Sequence, residues 1–268
     1  MTERLAGGKL LLDFPAEAVA RIRISNPERR NALDHEILDT LAETLPRLDR
    51  GIETRCVMIT GAPPAFSAGY DLTSIPRQTF ERDAEALVAH PFHDAMEALA
   101  SHPWPTVAAI NGHCLGGGLE LAMTCDLRIC AADAKLGMPP AKLGLVYSHT
   151  GLRKFLDVLG LARTKELFIT GRNYSAQRAE EIGIVHEVVE DSAFERAAVD
   201  LAAEIAANAP LSMRGNKRAI EVLNANPVLS EQQEGGLIAL RESCFSSEDL
   251  REGIEAFAEK REPRWRGR

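Results

Sequence analysis

Residues 106–122 read Thr106-Val107-Ala108-Ala109-Ile110-Asn111-Gly112-His113-Cys114-Leu115-Gly116-Gly117-Gly118-Leu119-Glu120-Leu121-Ala122. The first five, bounded by Pro105 and by Asn111-Gly112, predict a short buried strand. Three glycines follow, and the apolar run after them predicts a helix over 119–124. A strand that gives way to a helix is where an α/β fold places its ligands. Glycine lets a backbone N–H come close to a ligand, and the first turn of a helix leaves its N–H groups unpaired. Donors aimed at an oxyanion in this way are worth roughly 3–4 kcal/mol each. Glu120, three residues after Gly117, falls on the same side of the first turn, where it either faces that pocket or offsets the helix dipole. The segment is neither G-x-G-x-x-G nor a Walker lysine motif.

The units on either side repeat the pattern. Ala20, Ile22 and Ile24 alternate with Arg21 and Arg23, which predicts a half-buried strand over 19–24, ended by Asn26-Pro27. Leu33, Ile37, Leu38, Leu41, Leu45 and Leu48 then mark an amphipathic helix with Asp34 and Glu36 at its positive end. Further strands are predicted at 56–60, 126–131 and 184–189. Ala65-Phe66-Ser67-Ala68-Gly69-Tyr70-Asp71-Leu72 forms a loop above the 56–60 strand, and its Ala-Gly pair could bare a second backbone N–H. Beyond residue 190 the pattern is helical, over 194–207, 211–223, 231–245 and 250–260, with Ser247 placed to cap the last helix. The expected organisation is an α/β core over 1–190 and a helical region over 191–268.

The 268 residues are 45% hydrophobic, enough for a sizeable core and too many for a disordered chain. Aromatics make up 5%, too few for a stacking platform, and a net charge of -8 opposes general binding to a phosphate backbone. No nucleic-acid partner is therefore expected. No stretch approaches 18 apolar residues without a charge, so no membrane span is expected either. Met1-Thr2-Glu3-Arg4 carries acid early and lacks an apolar signal segment, and the five cysteines contain no C-x-x-C pair. A cytoplasmic protein without a disulfide framework or a zinc site is the expectation.

Taken together, the separated motifs resemble the enoyl-CoA hydratase/isomerase family, the crotonase superfamily. They run in order through Asn26-Pro27, Asn31-Ala32-Leu33, residues 66–72, residues 111–120, Cys125-Asp126-Leu127-Arg128, residues 167–171, residues 176–185 and residues 253–261. The resemblance implies a spiral of ββα units, a C-terminal helical region for trimerisation, and self-association to a trimer or a hexamer. It implies a coenzyme A thioester as substrate, with no cofactor beyond the coenzyme A that the substrate carries and no metal. The backbone N–H groups of Tyr70 and Gly117 match the two donors of an oxyanion hole for the thioester enolate, and Glu120 matches one catalytic carboxylate. Ala68, Asp71 and Leu72 match the coenzyme-lining segment, Phe257 and Lys260 the C-terminal coenzyme contacts, and Arg29 is a candidate phosphate partner.

Hydratases of this family use two glutamates. The second belongs where this chain has Pro140, within Gly137-Met138-Pro139-Pro140-Ala141. Proline has no proton to transfer, so two-carboxylate hydration is not expected. The following stretch, Leu143-Gly144-Leu145-Val146-Tyr147-Ser148-His149-Thr150-Gly151-Leu152, resembles the methylmalonyl-CoA decarboxylases of the superfamily, which place a tyrosine at the position of Tyr147. That resemblance implies loss of carbon dioxide from a methylmalonyl-CoA-like substrate, with Tyr147 orienting the departing carboxylate. The alternatives are a hydratase or an isomerase working through Glu120, a thioester hydrolase with His149 positioning water, and a non-catalytic acyl-CoA-binding homologue. His149 itself reads either as a proton donor or as a hydrogen-bonded loop histidine.

Overall fold

An antiparallel meander, β1 (Glu3–Leu5), β2 (Leu10–Ala16) and β3 (Val19–Ile24), begins the larger of two sheets. The computed structural model describes residues 2–71, 77–79, 82–83, 86, 88–226 and 228–268. In β3 the predicted alternation holds: Ile22 and Ile24 are buried in the core, while Arg21 reaches the Asp13 carboxylate at 2.8 Å. Helix α1 (His35–Arg47) follows, capped by Asp34, whose carboxylate accepts the Ile37 N–H at 2.9 Å. Its apolar stripe, Ile37, Leu38, Leu41 and Leu45, is fully buried.

Three times the chain then lays one strand in the large sheet and the next in a small one. The pairs are β4 (Cys56–Gly61) with β5 (Ala65–Ser67), β6 (Thr106–Ile110) with β7 (His113–Leu115), and β8 (Leu127–Ala131) with β9 (Lys135–Gly137). Helix α2 (His93–Ala100) precedes the second pair and α3 (Gly117–Thr124) follows it. After the third come α4 (Pro140–Leu143) and α5 (His149–Thr170), the latter kinked at Gly160. β10 (Asn173–Ser175), α6 (Ala176–Glu181) and β11 (Glu187–Val189) complete the sheets. The large sheet runs β1-β2-β3-β4-β6-β8-β11, parallel from β3 onward, and the small one β10-β9-β7-β5. This is the expected α/β spiral of ββα units.

Helices cover the central strands, which is why they read as unbroken apolar runs. Between the sheets, Ile59, Phe66, Ile110 and Leu119 share one core with the α1 stripe. On the opposite face, Met58, Val107 and Ile129 meet α7 (Asp191–Ala206) through Phe194, Ala198, Ala202 and Ala206. That four-residue spacing puts three alanines on one face and lets the helix lie close to the strands. Helices α8 (Pro210–Ala225), α9 (Glu231–Ser246) and α10 (Glu248–Glu259) follow, and Ser247 caps α10 as expected, accepting the Leu250 N–H at 3.0 Å.

The Cys125-Asp126-Leu127-Arg128 motif proves architectural. The Asp126 carboxylate accepts the Thr106 N–H at 2.7 Å and the Lys217 ammonium at 2.6 Å, which pins α8 to the strands. The buried Arg128 guanidinium donates to the carbonyls of Ile184 and Cys125, both at 2.7 Å. The predicted strand over 184–189 is shorter than expected. The Ile184 and Val185 N–H groups turn back to the Ala179 carbonyl at 2.8 and 3.3 Å, so sheet pairing starts only at Glu187. His149 is not a loop residue: it is the first residue of α5, exposed, with Ser148 capping the helix. No helix among the described residues is long and apolar enough to cross a membrane.

Candidate active site

The glycine-rich segment and the loop after β5 meet at the N-terminus of α3. An isolated parallel bridge joins Leu33 to Tyr70: the Leu33 N–H donates to the Gly69 carbonyl at 2.8 Å, and the Asp71 N–H to the Leu33 carbonyl at 3.0 Å. In a parallel bridge those two bonds flank Tyr70 and turn its own N–H to the opposite side. Gly117 opens α3, so its N–H has no acceptor within the helix. Among the described residues neither N–H is donated to a backbone carbonyl. The segments are in direct contact, since a Cβ added to Gly69, at φ +92°, would lie 2.9 Å from the Gly117 nitrogen. A Cβ on Gly117 would sit 2.7 Å from the Tyr70 ring, so glycine there is demanded by close approach.

Glu120 is buried, with 4% of its surface exposed. Its carboxylate Oε2 accepts the Tyr147 hydroxyl at 2.5 Å, and that hydroxyl lies 3.3 Å from the hydroxyl of Tyr70. The two phenol rings stack 6.5 Å apart at 18°; Phe92 packs edge-on against Tyr70, and Phe168 against Tyr147. Burial pushes the Glu120 carboxyl up to about 7, against the opposing pull of the Tyr147 hydrogen bond and the Lys154 charge. Burial, with Glu120 nearby, also holds both phenols above their usual range, so they stay neutral. The result is one carboxyl of raised proton affinity beside two neutral phenols, close to the Tyr70 and Gly117 N–H groups.

Gly151, in the first turn of α5, completes the seat. A Cβ there would lie 2.8 Å from both Glu120 carboxylate oxygens and 2.7 Å from the Tyr147 ring. From Glu120 a cavity of about 1170 Å³ opens between α2 and the start of α5, walled by Phe92, Met96, Val146, His149 and Lys154 among others. Gly151, Phe92 and Lys154 were not singled out in the sequence. Gly151 stands in the 143–152 stretch without a role of its own there, Phe92 and Lys154 stand in no motif, and packing around the Glu120 site marks all three.

The structure thus brings Tyr70, Gly117, Glu120 and Tyr147 together. Ala68, half-buried, donates its N–H to the Arg30 carbonyl at 3.0 Å. Asp71 is buried and lies 3.6 Å from the Arg29 guanidinium, so Arg29 has a carboxylate of its own chain beside it. Leu72 lies outside the described residues. Phe257, 89% exposed, and Lys260, the left-handed C-cap of α10, are not among the described residues lining the Glu120 cavity. Pro140 is buried as the first residue of α4, a position where a missing N–H costs nothing. It leaves no ionisable side chain at that point. Cys125 is buried, and burial lifts its thiol to about 12, which keeps it inert.

The sequence pattern of the enoyl-CoA hydratase/isomerase family matches residues 15–268. The chain belongs to that family. The short-chain-enoyl-CoA hydratase of Clostridium acetobutylicum is 32% identical over 248 residues, 91% of this chain and 92% of its own. The human mitochondrial enoyl-CoA hydratase domain-containing protein 2 is 33% identical over 95% of this chain and 87% of its own. The crystal structure of an enoyl-CoA hydratase from Bacillus anthracis superposes with a TM-score of 0.88 at 32% identity, covering 97% of this chain and all of that one. In this chain the site is centred on the buried Glu120 carboxyl, with Pro140 contributing no ionisable side chain.

Proposed function

We propose that this chain is an enoyl-CoA isomerase that moves a proton with a single carboxyl, Glu120. The observation that carries this reading is the seat of Glu120: a carboxyl raised to about 7, fixed through Oε2 by Tyr147, with no ionisable group at Pro140. A group with that affinity can take a proton and return it at neutral pH. In the proposed reaction the Glu120 carboxylate removes a proton from C2 of a 3-enoyl thioester. The electron pair moves onto the thioester oxygen, which the Tyr70 and Gly117 N–H groups hold as an enolate. The protonated carboxyl then delivers the proton to C4 as the carbonyl re-forms. The C2–H bond is broken and a C4–H bond is made, so the double bond moves into conjugation.

Hydration is the second reading, favoured by the relatives that are enoyl-CoA hydratases. It asks Glu120 to serve both the attacking water and C2, with Oε2 already committed to Tyr147. Decarboxylation of a methylmalonyl-type thioester draws less support from this geometry. The Tyr147 hydroxyl already donates to Glu120, and a substrate carboxylate at that point would meet the charge of Glu120. The isomerase reading needs no cofactor beyond the substrate's coenzyme A and suits a reducing cytoplasm.

Self-association belongs to the same proposal. Ile220, Phe245, Ile254 and Phe257 on α8–α10 are 63–89% exposed, a row of apolar side chains suited to burial between copies. Light scattering on the purified protein would give a trimer or hexamer mass.

The deciding assay offers the protein 3-hexenoyl-CoA, crotonyl-CoA and methylmalonyl-CoA separately and follows thioester products by chromatography and mass spectrometry. Conversion of the first to 2-hexenoyl-CoA at unchanged mass, lost in Glu120→Gln, is the expected result. Water addition to crotonyl-CoA alone makes the chain a hydratase. Carbon dioxide loss from methylmalonyl-CoA alone restores the decarboxylase.

A further inference from the structure

The wall of the Glu120 cavity contributed by α5 carries a cation that forms no salt bridge among the described residues. Lys154 stands one helical turn beyond Gly151, on the same face of α5 as the glycine against which the Glu120 carboxylate rests. It is half-buried and lines the cavity. Among the described residues no carboxylate lies within 4.0 Å of its ammonium. Of the other charged groups on this wall, Arg153 pairs with Asp157 at 2.7 Å, and Glu97 lies 3.6 Å from the His93 ring nitrogen. Glu120 and, on α8, Glu221 sense the Lys154 charge from beyond salt-bridge distance. Much of the remaining wall is apolar, through Phe92, Met96, Ala100 and Val146.

A half-buried ammonium is costly to desolvate without a partner. An uncharged alkyl chain filling this cavity would strip water from Lys154 without supplying a hydrogen-bonded partner. A carboxylate at the far end of the acyl chain would supply the missing partner. The cavity, at about 1170 Å³, has room for such a chain beyond Glu120. The carboxylate must be remote from the thioester, because one attached next to it would lie against Glu120 and its charge.

We propose that the acyl group accepted here ends in a carboxylate that pairs with Lys154, which makes the substrate the mono-coenzyme A thioester of a short unsaturated dicarboxylic acid. The proposal rests on reading the Glu120 cavity as the acyl end of a coenzyme A thioester site. It goes beyond that reading by naming the substrate class.

The test uses two saturated thioesters that the proposed chemistry leaves unchanged, with acyl chains of equal length. Valeryl-CoA ends in a methyl group and glutaryl-CoA in a carboxylate. Isothermal titration with the full chain is expected to show about tenfold tighter binding of glutaryl-CoA, equivalent to about 1.4 kcal/mol. That ratio should shrink as salt is raised. Lys154→Met should abolish the preference and leave valeryl-CoA binding as strong or stronger, while Lys154→Arg should retain it. Thermal melts show that each variant is folded before it is titrated. Equal affinity of the wild type for the two thioesters, or a preference that survives Lys154→Met, overturns the proposal. In either case the acyl-CoA reading of the cavity still stands. Binding of neither thioester by the folded wild type removes both.

Discussion

The Tyr147 hydroxyl donates to Oε2 of Glu120 at 2.5 Å, joining the tip of the segment between α4 and α5 to the first turn of α3. The two residues are 27 apart in the chain, and the contact exists only because α5 begins against the glycine-rich end of α3. The bond fixes one carboxylate oxygen, and in the proposed reaction the other, Oε1, serves the substrate. It also favours the ionised carboxyl, opposing the burial that raises its proton affinity.

Tyr147→Phe removes this donor. A hydrogen bond to a charged group is worth about 1.5–3 kcal/mol, so the Glu120 affinity for its proton should rise by about one to two pH units. Since the proposed reaction begins with the ionised carboxyl, the rising limb of kcat/KM against pH should move up by that amount from the midpoint near 7 expected of the wild type. A pH-rate profile on 3-hexenoyl-CoA checks this. An unmoved limb would show that Tyr147 does not tune Glu120.

Glu120→Gln should stabilise the fold at alkaline pH. The carboxyl binds its proton more tightly in the folded chain, at about 7, than its ordinary value of 4.5. Between those values the native state holds more protons than the unfolded one, so stability falls as pH rises through the window. The loss amounts to about 3 kcal/mol for a shift of this size. The variant should therefore melt higher than the wild type at pH 8 and alike at pH 4, as read by calorimetry at the two pH values.

Gly151→Ala tests the packing behind Glu120. The added methyl would lie 2.8 Å from the carboxylate oxygens, while alanine is otherwise favourable in a helix. Circular dichroism should show an intact fold. The turnover number should nevertheless drop at least tenfold, as the carboxyl is displaced from its seat.

Gly117→Pro removes one N–H of the proposed oxyanion hole at a helix position that tolerates proline. A ring there would strike Tyr70, so the comparison belongs in a Tyr70→Ala background, which keeps the residue-70 N–H and clears the space. The double variant should turn over about 10²–10³ times more slowly than Tyr70→Ala alone, with both folded. Equal rates would exclude the Gly117 N–H from the reaction.

Much of the fold is legible because its strands and helices are set by local patterns. The strand at 19–24 shows its alternation, the buried strands at 56–61 and 106–110 their unbroken apolar runs, and α1 its 3.6-residue stripe. The small sheet is not legible. β5, β7, β9 and β10 are three residues each, too short for a period to register, and exist because neighbouring units stack them. The start of α5 was likewise hidden, since Pro139, Pro140 and Gly144 read as loop and the helix shows only a weak apolar stripe.

The site divides along the same line. Sequence alone determined the parts that depend on residue type: a glycine-rich helix start, a carboxyl in its first turn, a tyrosine following, and a proline at 140, where the family resemblance implies a second acid. Their relation was decided by tertiary structure. That Tyr147 reaches Glu120, that Gly151 leaves room for its carboxylate, and that Lys154 shares its cavity all depend on how α3 and α5 pack. Proton affinity depends on the same packing, because the shift of Glu120 to about 7 comes chiefly from burial. Burial is set by segments distant in the chain, which no local pattern of residues records.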